Sequence, residues 1–133
     1  MYPKNKVTKV IDLWSKDFIR LLDLKSYTIC FHVMHSKSKK LKQYKLSDKT
    51  SCAISLTNNK CADILIYYDL QKDYEDTVAS LFHELLHVKF YSLTNMVTLK
   101  AALAFKEEEK IVSNLEDVFM TFFFDKDLKP RGI

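Results

Sequence analysis

Two histidines and a glutamate stand at a spacing that can do chemistry: His83-Glu84-Leu85-Leu86-His87. On a helix, residues four apart lie one above the other on the same face. Two imidazoles so placed can share one zinc ion. Glu84 is turned about 100° from His83, beside the metal rather than on it. That position suits a general base that takes a proton from zinc-bound water. The surrounding segment is apolar, with Val78, Leu81, Phe82, Leu85, Leu86, Val88 and Phe90. Burying three polar side chains in such a helix without partners would be costly, and a metal resolves the conflict.

A catalytic zinc has three protein ligands and an open position. The third must come from elsewhere in the chain. Glu107-Glu108-Glu109 begins twenty residues past His87, inside a second helical segment. With Ile111, Val112, Leu115, Val118, Phe119 and Phe122 as the buried face of that segment, Glu108 falls near its centre. Glu107 and Glu109 fall to either side. Glu108 is therefore the expected third ligand, with Glu109 in reserve.

The elements that must position these groups follow from periodicity. Val7, Val10, Ile11, Trp14, Phe18, Leu21 and Leu22 recur at helical spacing and predict an amphipathic helix over 5–24. Tyr27 to His35, Cys52 to Leu56 and Ala62 to Tyr68 read as strands, joined into a plausible antiparallel meander. Thr57-Asn58-Asn59-Lys60 has turn chemistry. Asp73 or Asp76 can cap the histidine helix, which should end near Ser92. A last helix should run from about Thr98 to Phe124. The expected class is α+β: one helix, a small antiparallel or mixed sheet, then two helices, in a single domain spanning 1–133.

Composition excludes several classes. The 133 residues include one Gly and two Pro, so there is no phosphate-binding glycine loop and no dinucleotide fingerprint. The three cysteines, Cys30, Cys52 and Cys61, form no Cys-x-x-Cys pair. A disulfide framework is not expected, which suits a reducing compartment. No apolar run reaches membrane-spanning length. A soluble, cytoplasmic protein with no membrane partner is the expectation. The net charge of +4 is mild, and six lysines crowd into Ser36–Lys49. Such a run is most simply a solvated loop, although it can touch phosphates. His32 and His35 flank Val33-Met34 on the first strand. They should face opposite sides and share no metal.

The His-Glu-x-x-His motif, a connection and then Glu108 in a helix resemble the gluzincin class of zinc metallopeptidases. The likeness is to the minimal forms of phages and bacteria, with Glu108 to Leu115 similar to their glutamate helix. The layout matches over about residues 52–124, but only the motif is specific. The resemblance implies a zincin-like fold, a peptide or protein substrate, His83, His87 and Glu108 as ligands, and Glu84 as base. It also implies that the strand before the active helix, Ala62 to Tyr68, is the sheet edge lining the cleft. Tyr67, Tyr68 and Tyr91 are candidates for stabilising an oxyanion. Asp69 or Asp117 is a candidate for orienting a ligand imidazole.

Two other readings stand beside this one. The chain can be a non-catalytic binding module of zincin fold, with its zinc structural. It can also act on protein associated with nucleic acid through Lys39, Lys40 and Lys42, as in SprT-like proteases. Substrate identity and oligomeric state are not legible in the sequence.

Overall fold

The computed structural model describes residues 2–44, 52–94 and 101–124, without the side chains of 92–94, 101–107 and 122–124. Helix α1 (Lys4–Leu21) leads to strand β1 (Thr28–Met34). A short 3-10 turn (Lys39–Tyr44) follows. Then come β2 (Ala53–Asn58), β3 (Cys61–Tyr67), a 3-10 turn (Tyr68–Leu70), α2 (Tyr74–Thr94) and α3 (Ala101–Phe124). The α+β architecture matches the expectation. Residues 45–51 and 95–100 lie outside the described residues, and with them Lys45, Lys49 and the predicted start of the last helix at Thr98. No helix among the described residues is long and apolar enough to cross a membrane.

The sheet corrects the meander. Its order is β1-β3-β2, with β1 parallel to β3 and β2 antiparallel to it. The central strand is therefore β3, not an edge. Its side chains explain the placement: Ala62, Ile64, Leu65, Ile66 and Tyr67 are all buried, so it needs cover on both faces. The more polar β2 takes the edge. Asn59, with φ of 57°, makes the two-residue β2–β3 turn in the left-handed region that Asn tolerates.

Helix α1 stops at Leu21, three residues before the predicted end. Asp23 takes φ of 55°. Its amide bonds to the Arg20 carbonyl, and the Leu24 amide to that of Ile19. This is a Schellman motif, in which Leu24 is fully buried as the apolar plug. Helix α2 starts on Asp73, whose Oδ1 accepts from the Asp76 amide at 2.9 Å. Asp76 in turn accepts from the Lys72 amide.

One face of the sheet packs on the helices through Ala53, Ala62, Ile64 and Ile66. Val78, Leu81, Phe82, Leu85, Leu86 and Val88 meet them from α2. An aromatic cluster ties the three helices together. Phe82 of α2 stacks on Phe119 of α3 at 4.4 Å, and Phe18 of α1 packs against both. Buried Gln71 joins three elements: its Nε2 donates to the carbonyls of Cys52 and Tyr67, and its Oε1 accepts from Ser80 of α2.

Glycine is the residue best suited to φ near +55°. Asp23→Gly should therefore raise stability by about 0.5–1 kcal/mol. The check is a urea midpoint that rises at unchanged slope. A lowered midpoint would show that the Asp23 side chain does more than tolerate the turn.

Candidate metal centre

His83 and His87 project from α2 with their Nε2 atoms 3.2 Å apart. Two ligands on one tetrahedral ion at about 2.0–2.1 Å stand roughly 3.3 Å from each other. The pair is thus already at chelating distance. Glu109 of α3 reaches the same point, with Oε1 2.6 Å from His87 Nε2 and Oε2 3.8 Å from His83 Nε2. His83, His87 and Glu109 together form a group that can hold a metal ion.

Nδ1 of His83 lies 2.8 Å from Glu116, and Nδ1 of His87 lies 3.1 Å from Glu108. Each outer nitrogen can donate to its carboxylate, and the two Nε2 atoms then face each other and Glu109. A cation at that point would satisfy all three groups at once. The donor set, two imidazole nitrogens and a carboxylate, suits zinc or a similar divalent ion.

The group that converges on the two Nε2 atoms contains Glu109, the reserve candidate, rather than Glu108. Glu108 sits on the far nitrogen of His87, and Glu109 occupies the position expected of it. The cause is the rotation of α3. Ile111, Leu115 and Val118, read as buried, are 41%, 42% and 67% exposed. The face turned to α2 carries Glu109, Val112, Glu116 and Phe119, which span about 80° of the helix. The side chains of Glu107 and Phe122 lie outside those described. Asp69 and Asp117 do not take the orienting role. Asp69 accepts from the amide and hydroxyl of Ser36, which hold its carboxyl below the usual range against the upward push of burial. Asp117 is exposed. Glu116 and Glu108 orient the imidazoles instead. Glu116 was recoverable from sequence only as the acid two turns beyond Glu109.

Glu84 lies beside the pair and is 6% exposed. Burial pushes its pKa up, while His83, His87 and a hydrogen bond from the Ser55 hydroxyl pull it down. The hydrogen bond to Glu116 raises the pKa of His83 in spite of burial. Ser55 belongs to β2, so the edge strand and the glutamate are tied together.

A cleft of about 1050 Å³ opens over these groups, walled by Cys52–Asn58 on one side and by His83, Glu84, His87 and Tyr91 on the other. The edge strand on the cleft is thus β2, while the strand just before the active helix is central and contributes only Cys61 and Asp63 to the lining. Of the three candidate tyrosines, Tyr91 lines the cleft. Tyr67 is buried, with a pKa raised by burial and by Glu84 and Asp69. Tyr68 packs edge-on against His35. His32 and His35 face separate carboxylates, Asp63 at 2.8 Å and Asp69 at 3.7 Å. Lys39, Lys40 and Lys42 are exposed on the 3-10 turn, away from the cleft lining.

The chain matches no protein-family model, no curated protein and no solved structure.

Glu109→Ala should abolish stoichiometric metal binding. Glu108→Gln and Glu116→Gln should keep the stoichiometry but weaken affinity by about 10–100-fold. Competition against a zinc-sensitive chelating dye reads both. Intact binding in Glu109→Ala, with loss in Glu108→Ala, would return the ligand role to Glu108.

Proposed function

We propose that this chain is a zinc-dependent peptidase of gluzincin type. The reading is carried by the convergence of His83 Nε2, His87 Nε2 and Glu109 beside a buried glutamate at the floor of an open cleft. Those three groups would hold a divalent ion, which would supply a water of lowered pKa and polarise a substrate carbonyl.

The protein's own groups do the rest. Glu84 accepts the proton of the attacking water and delivers it to the leaving nitrogen. Ser55 of β2 lies within hydrogen-bonding reach of its carboxylate. Glu116 and Glu108 hold the imidazoles with Nε2 inward.

β2 holds the substrate. The Tyr67 amide bonds to the Cys52 carbonyl, one step beyond the Ala53–Ile66 pair at which the β2–β3 register begins. Antiparallel pairing alternates, so Ile54, Leu56 and Asn58 also turn their backbone groups toward β3. Ala53, Ser55 and Thr57 turn theirs outward, at the edge that walls the cleft. An extended peptide can add there as a fourth strand. Its carbonyls would then pass in front of Glu84, which Ser55 marks on the strand.

Glu84→Gln should keep the metal and lower peptide hydrolysis by about 10²–10⁴-fold. The assay is a mixed peptide library read by mass spectrometry, with and without chelator. Full activity in Glu84→Gln would remove Glu84 as base. Cleavage indifferent to chelator would remove the metal from the reaction.

A further inference from the structure

The charge of the cleft opposes the charge of the chain. The protein carries +4 overall, yet the cleft is lined by Asp63, Asp76, Glu84, Glu108, Glu109 and Glu116 and by no lysine or arginine among the described residues. One dication balances only two of these six carboxylates. The imbalance therefore survives metal binding. Fields inside a cleft act over about 8 Å at physiological salt. A ligand on β2 lies against these carboxylates, and Lys72, whose charge acts on Cys52 at one end of the lining, is not itself part of that lining.

Two of the carboxylates lie outside the metal centre. Asp76 stands on the first turn of α2, and its Oδ2 takes the Lys72 amide. Asp63 stands on β3 as the register partner of Leu56, and its Oδ1 faces His32. Side-chain alternation puts Asp63 on the sheet face opposite Ser55. A strand added to β2 presents side chains alternately to both faces. Long basic side chains can reach one acid on each.

We infer that the segment bound along β2 is cationic, with Lys or Arg side chains directed to Asp76 and Asp63. The inference rests on β2 as the docking edge and names the substrate class of the proposed peptidase: basic, extended polypeptide. Net charge alone points the other way, toward acidic ligands.

The test measures binding rather than turnover. Metal-loaded Glu84→Gln protein is titrated into three labelled peptides of about ten residues, identical except for two Lys, two Gln or two Glu, and followed by anisotropy. The Lys peptide should bind roughly tenfold tighter than the Glu peptide at low salt. The gap should shrink at about 0.5 M salt and narrow in Asp76→Asn and Asp63→Asn. Asn preserves the acceptor oxygen that each site uses, so folding is not the variable. Equal affinities, or tighter binding of the Glu peptide, would overturn the charge preference and leave the peptidase reading standing. Binding of none of the three would overturn both.

Discussion

Three polar groups aimed at one point are the constraint on which the rest of this structure depends. His83 Nε2, His87 Nε2 and Glu109 converge between α2 and α3. Their approach is enforced from outside. Glu116 and Glu108 hold the two Nδ1 atoms, and the Phe82–Phe119 stack clamps α2 to α3 one residue before His83. The apolar contacts thus hold polar groups in an arrangement they would not adopt alone.

The same constraint organises the sheet. Glu84 must stay near the histidines, yet it is buried and needs a partner. Ser55 supplies one, which brings β2 alongside α2. Gln71 secures the start of that strand to the end of β3 and to Ser80. The edge is therefore braced on the side from which its outward backbone groups serve the cleft. Its other side is occupied by β3, whose buried Ala62, Ile64, Leu65, Ile66 and Tyr67 require a central place.

The rotation of α3 shows where periodicity loses its power. That helix carries apolar residues over a wide arc, so the predicted face takes in Ile111, Leu115 and Val118, which are exposed, along with Val112 and Phe119, which are buried. Hydrophobicity alone does not separate them. The imidazoles of α2 do, because each needs a carboxylate and only one rotation delivers Glu108, Glu109 and Glu116 together. A shift of one residue along a helix is a turn of about 100°, enough to exchange a ligand for its neighbour's support.

The sequence by itself determined the candidate metal-binding pair and its candidate base, because their geometry is local: residues four apart on one helix need no tertiary contact to align. It likewise showed the α+β class and the positions of its elements, to within a few residues at their ends. Only the tertiary structure decided the third member of the site, the carboxylates behind the histidines, and the strand that walls the cleft. Each depends on the rotation or order of elements far apart in the chain. That choice is made by the pairing of buried polar groups and by the two-sided burial of β3, and neither is written in the spacing of any one segment.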